Sequence, residues 1–325
     1  MSNLVEGQLY CSPVVIRSKF KLDALANGLQ SHLYSGQVPS TGWGSIADDA
    51  SPLRKITAYR PQINAPKVLA ASGGLPRRLK GRYYWDAADP ATRKMYTRIG
   101  KTPGSPSEYH VFSAVDLVIG ETAAPGQYAG IFTTRSQDEI ARYVRDGLRN
   151  TFAAIDPASV VQMDNVQFVV DSDFYMWLVH RYNGIAQLSG DLKVEVVRTL
   201  SSEDGLKRPA NLSSGAHVDR AAVATYVLEQ SGKLGPSQFA VQYKPLDLTL
   251  EIDLHGDGSF QVVVGKSFYK NRIKRDLLGP SLVDDAIYEV LPALMSAYAS
   301  DGAWPTPGRD DFLDKAKKVL RHHAR

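Results

Sequence analysis

The chain has 325 residues, with 38 Lys/Arg against 34 Asp/Glu for a net charge of +4, 43% hydrophobic residues and one cysteine. That composition belongs to a folded chain long enough for one large domain or two ordinary ones, and no window approaches the run of about eighteen apolar residues that a membrane-spanning helix needs. The single Cys11 excludes an internal disulfide framework and any multi-thiolate metal site, and MSNLVEGQLYCSP lacks the basic and apolar segments of a secretory leader, so the expected compartment is the cytoplasm.

In chain order, Leu22, Leu25, Leu29 and Leu33 recur at helical spacing and predict an amphipathic helix over 20–34. Residues 36–76 are rich in Gly, Pro, Ser and Ala and predict irregular structure. The run GGLPRRLKGRYYW (73–85) follows, and around it residues 51–101 hold twelve Lys/Arg and two acids, a local balance of +10. One segment therefore owns the positive charge, which bears on electrostatic partners and not on fold. This part of the N-terminal third reads as an irregular basic segment.

From 109 the texture is β-rich: YHVFSAVDLVIG and QYAGIFTT are strands separated by GETAAPG. Ser136 and Glu139 form a capping box for a helix with Ile140, Tyr143, Val144, Leu148 and Phe152 on one stripe. VQFVVD (166–171) predicts a buried strand, MWLVHRY a helix, LKVEVVRTL (192–200) a strand, and DRAAVATYVLEQ a short helix after a polar loop. Leu246, Leu248, Leu250, Ile252 and Leu254 alternate with Asp247, Thr249, Glu251, Asp253 and His255, the pattern of a half-buried antiparallel strand. Gly256-Asp257-Gly258 then returns the chain as the second strand of a hairpin over 246–264. Two helices close the chain, 281–299 with a kink at Pro292 and 310–323 with acids first and bases last. The sum is an α+β fold with a mixed or antiparallel sheet, divided near 103–108 into an N-terminal region (1–105) and an α+β domain (106–325).

Two fragments imitate a phosphate loop, Gly100-Lys101-Thr102 and Gly265-Lys266-Ser267, but Met95 and Phe260 stand where the loop needs its first glycine. Carboxylates offer a second chemistry. Glu251 and Asp253 project from one strand face and are candidate Mg²⁺ ligands for phosphodiester cleavage, with Lys244 as the group that stabilises developing charge. Asp171 and Asp173 form another carboxylate pair, which reads better as a helix cap.

The basic segments carry the leading functional expectation. Residues 77–101 interleave eight cations with four aromatics, and 266–275 (KSFYKNRIKR) repeats the composition. Cations that neutralise phosphates beside flat rings that stack unpaired bases suit single-stranded or distorted DNA or RNA. The candidate contacts are Arg77, Arg78, Lys80, Arg82, Tyr83, Tyr84, Trp85, Arg93, Lys94, Arg98, Lys270, Arg272, Lys274 and Arg275. Two alternatives stand beside a nucleic-acid-binding protein: a Mg²⁺-dependent nuclease using Glu251, Asp253 and Lys244, and an interaction subunit whose basic patch docks an acidic protein. No membrane partner is expected.

Overall fold

The structure is a computed structural model that describes residues 8–34, 40–44, 65–102, 105, 108, 110–133, 144–164, 166–203, 209–212, 221–230, 234–271 and 275–323. The fold is α+β, with antiparallel strand ladders and C-terminal helices. The chain forms two compact units, Ser12–Met163 and Met1–Cys11 with Asp164–Arg325.

In the first unit the elements are β1 (Gln8–Arg17, of which residues from Ser12 belong here), α1 (Leu22–Gln30), β2 (Thr41–Trp43), β3 (Lys67–Leu69), β4 (Arg78–Ala88), α2 (Pro90–Arg98), β5 (His110–Glu121), β6 (Gln127–Thr133), α3 (Arg145–Ile155) and β7 (Val160–Gln162). β4 pairs β5 antiparallel from Arg78↔Gly120 to Ala88↔His110, and β2 and β3 both pair the other edge of β4. The turn-rich stretch at 103–108 thus lies between two fully paired strands, and the division of the chain falls at Cys11/Ser12 and Met163/Asp164. Helix α1 buries Leu22, Leu25, Ala26 and Leu29 as its leucine spacing requires, and it packs against α3, whose Leu148 and Phe152 are buried. Trp43, Leu79, Tyr83, Trp85, Leu117, Ile119 and Phe132 complete this core.

The second unit contains α4 (Ser172–Asn183), β8 (Leu192–Glu203), β9 (Pro209–Leu212), α5 (Ala221–Gln230), β10 (Leu234–Tyr243), β11 (Leu248–Leu254), β12 (Phe260–Val263), β13 (Phe268–Tyr269), α6 (Arg275–Asp285), α7 (Leu291–Ser300) and α8 (Arg309–His323). Its ladder runs β12-β11-β10-β8-β9, with β13 also on β11 and the first residues of β1 on β12. Leu248, Leu250, Ile252 and Leu254 are fully buried, as the strict alternation of β11 predicts, and Phe239, Val241, Val194 and Val197 of β10 and β8 share that core face. Helix α4 packs on β8 and β10 and is buried from Phe174 through Val179, so its central turns are covered on every side.

Three expectations change. The basic segment is regular, with β4 and α2 replacing the irregular structure read from it, because RLKGRYYW pairs along its whole length with β5. VQFVVD is not a strand: Phe168 takes a left-handed φ of 54°, and the nearby short strand is β7. The kink expected at Pro292 takes the form of a widened turn over Ala286–Val290 just before it, a usual response to a lost helical N–H. The capping box at Ser136 and Glu139 lies outside the described residues. Among the described residues no helix is long and apolar enough to cross a membrane.

Candidate nucleic-acid interface

Strand β4 decides what the basic run can offer. Side chains alternate across a strand, so Leu79, Tyr83 and Trp85 face one way and Arg78, Lys80, Arg82 and Tyr84 the other. The first set enters the core, where Tyr83 lies edge-on to Trp43 with ring centres 5.4 Å apart and near-parallel to Trp85 at 6.3 Å. Gly81 keeps this layer closed, since a Cβ there would sit 3.0 Å from the Trp43 ring. The second set is buried as well. Arg82 is 1% exposed and meets Asp116, its cross-strand neighbour, through Nε–Oδ1 at 2.6 Å and Nη2–Oδ2 at 2.8 Å. Burial opposes the Arg82 charge, yet Asp116 outweighs it and raises the guanidinium pKa. Tyr84 packs its ring 5.8 Å from Tyr34, and Arg78 and Lys80 are buried.

Tyr83, Tyr84 and Trp85 therefore stand as core residues, a correction to their expected place as stacking platforms. Aromatic residues suit a covered sheet, and a strand buried on both faces gives no alternation to read. Arg77, at the start of the strand, is partly exposed and tied to Asp23 at 2.5 Å and Glu121 at 3.3 Å.

Helix α2 is different. Asp89 caps it by accepting from the backbone of Ala91 and Thr92 at 3.0 and 3.1 Å, and Pro90 occupies the first helical position. Gly100, at φ 65°, ends it: its N–H donates to Thr97 and that of Lys101 to Tyr96, the paired bonds of a glycine C-cap. The Gly100-Lys101-Thr102 fragment is this cap. Between the caps Arg93, Lys94 and Arg98 are exposed, as is Lys101 just beyond, and among the described residues none of the four has a carboxylate within ion-pair distance. Lys94 and Arg98 lie one turn apart, and so do Met95 and Ile99, which are 53% and 54% exposed on the adjoining ridge.

The second basic segment belongs to the other unit. Lys266 and Lys270 are exposed around β13, Arg275 is the first residue of α6, and Arg272 and Lys274 lie outside the described residues. Gly265-Lys266-Ser267 leads into β13 and not into a helix, and Ser267 is buried, its hydroxyl donating to Val263 O.

On β11 the acidic row is split by burial. Glu251, only 1% exposed, accepts Arg198 Nε at 2.8 Å on Oε2 and Gln238 Nε2 at 2.6 Å on Oε1, and is ion-paired with Lys266 Nζ, 3.2 Å from Oε1. A Mg²⁺ ion would have to displace these partners, and among the described residues no group of three His, Cys, Asp or Glu is placed to hold a metal. Asp253 is half-buried, and that burial raises its carboxyl pKa while His255, with Nε2 at 4.0 Å, pulls it back. Lys244 extends past the end of β10 and donates to Gly190 O. Asp171 caps α4 by accepting Phe174 N–H at 3.0 Å, whereas Asp173 accepts Tyr298 Oη and Trp304 Nε1 and is ion-paired with Arg309. Sequence reasoning missed Arg198 and Phe268. The first sits 53 residues from Glu251 with no motif around it; the second was visible as an aromatic between two lysines. No protein-family model matches the chain, and no curated protein matches it in sequence.

Proposed function

We propose that this protein binds nucleic acid through its phosphates, with α2 and the turn after it as the contact surface. The observation that carries the proposal is the set of four exposed cations, Arg93, Lys94, Arg98 and Lys101, none of which has a carboxylate within ion-pair distance among the described residues. Surface lysines and arginines already paired with acids have little to gain from a phosphate; these four gain the full release of condensed counterions. The strong helix caps hold them in fixed relation to one another. The test is equilibrium binding of a labelled single-stranded oligonucleotide to wild type and to the quadruple variant R93A/K94A/R98A/K101A. Wild type binds and the variant loses at least about tenfold at moderate salt; equal affinities refute the proposal.

A second proposal is favoured by Met95 and Ile99. An exposed apolar pair beside cations also fits a helix-docking protein of acidic character. Met95→Ser with Ile99→Ser separates the two, since it removes a protein contact and leaves phosphate contacts intact.

A further inference from the structure

The second unit carries an aromatic side chain for which its own core has no use. Phe268 on β13 is 53% exposed. It pairs across the ladder with Thr249 of β11, which puts its ring on the same sheet face as Glu251. The neighbouring pair, Leu248 and Tyr269, points to the other face, where Leu248 is buried and Tyr269 donates to Asp285. Strand register therefore sends Phe268 outward, to the polar side of the sheet.

That side has a defined electrostatic layout. Glu251 is 1% exposed, while its partners Arg198 and Lys266 are 42% and 50% exposed. The carboxylate lies beneath and the two cations above it, so the triad presents a net positive charge to solvent. Glu251 acts as a positioning residue that holds a guanidinium and an ammonium on either side of itself. Thr249 and Glu251 are two residues apart, about 7 Å along β11, so Phe268 lies diagonally across the ladder from the carboxylate that holds the two cations. Gln238, whose amide donates to Glu251, and Gln242 add hydrogen-bonding groups on the same face.

Flat sheet faces with an exposed aromatic beside cations are how single-stranded nucleic acids are held: the ring stacks an unpaired base and the cations take the adjacent phosphate. We infer that Phe268, with Arg198 and Lys266 held by Glu251, is a stacking seat for one base of a single strand. The inference rests on the proposed nucleic-acid function and adds what the α2 cations lack, a preference for strands that carry bases.

The experiment compares a labelled oligothymidylate with an abasic strand of the same length, using wild type, Phe268→Ala and Phe268→Trp. Wild type is expected to bind the thymidylate about 5- to 140-fold tighter than the abasic strand, the range that one stacked base supplies. Phe268→Ala abolishes that ratio without weakening the abasic strand, and Phe268→Trp restores it. Four results overturn the seat: equal wild-type affinity for the two strands, a base preference that survives in Phe268→Ala, equal weakening of both strands in Phe268→Ala, or a ratio that Phe268→Trp does not restore. In the second case the exposed ring is left to a protein contact. Failure of wild type to bind either strand overturns the proposed function itself, and the seat with it.

Discussion

The Arg82–Asp116 pair offers the sharpest perturbation of the first unit. Replacing Asp116 by Ala leaves a guanidinium that is 1% exposed without its bidentate partner, whose own side chain is 4% exposed. Two charge-assisted bonds at 2.6 and 2.8 Å are lost, each worth about 1.5–3 kcal/mol. Stranding a buried charge costs about 3–5 kcal/mol in comparable pairs, a large share of the roughly 5–15 kcal/mol that keeps a domain folded. Arg82→Met with Asp116→Leu removes both charges while keeping the volume filled, and it is expected to be neutral or stabilising by up to about 4 kcal/mol. Urea denaturation, with its slope compared among variants, gives these values. A cost below about 1 kcal/mol for Asp116→Ala refutes the buried pair. In the binding assay for the proposed nucleic-acid contact the double variant is expected to match wild type, because Arg82 is a structural cation; a weaker variant would place Arg82 at the ligand.

Three further outcomes follow from the second unit. Asp173→Ala removes the acceptor shared by Tyr298 and Trp304 and the ion-pair partner of Arg309, and denaturation should show a loss of about 2–3 kcal/mol, with Asp173→Asn losing less. Gly258→Ala places a Cβ 1.9 Å from Gln167 O at a φ of 84°, and should lower the melting temperature by several degrees. Asp301 accepts from Trp177 and Arg181, and although burial raises its pKa those bonds prevail and lower it. Its stabilising share is complete above the unfolded value of about 3.9 and is lost as pH falls through the lowered folded value. Asp301→Asn should therefore make stability less dependent on pH below about 4, as read by denaturation at a series of pH values.

Where one chemical periodicity determined one buried face, the fold was legible from residues alone. The alternation in 246–254 marked β11, the leucines at 22, 25 and 29 marked α1, and the charge gradient of 310–323 marked α8. Legibility ended where burial depends on distant chain. The burial of Arg82 requires Asp116, and that of Glu251 requires Arg198 and Lys266, partners that no local pattern announces. The same limit governed the site. Cation count pointed to 77–101 as a whole, but β4 withdraws Arg78, Lys80, Arg82 and three aromatics into the interior, leaving α2 and its following turn as the exposed remainder. An aromatic in a short run, as Phe268 is, gives no sign of which face it takes until its register with Thr249 is known.

The most direct measurement is the salt dependence of single-strand affinity for wild type and for R93A/K94A/R98A/K101A. Each phosphate neutralised on a single strand contributes about 0.7 to the slope of log affinity against log salt, so losing four contacts should flatten it by about 3. A flattening of that size, with the fold and melting temperature of the variant unchanged, is the predicted result. A slope identical in the two proteins would contradict the assignment of α2 as the phosphate-binding surface.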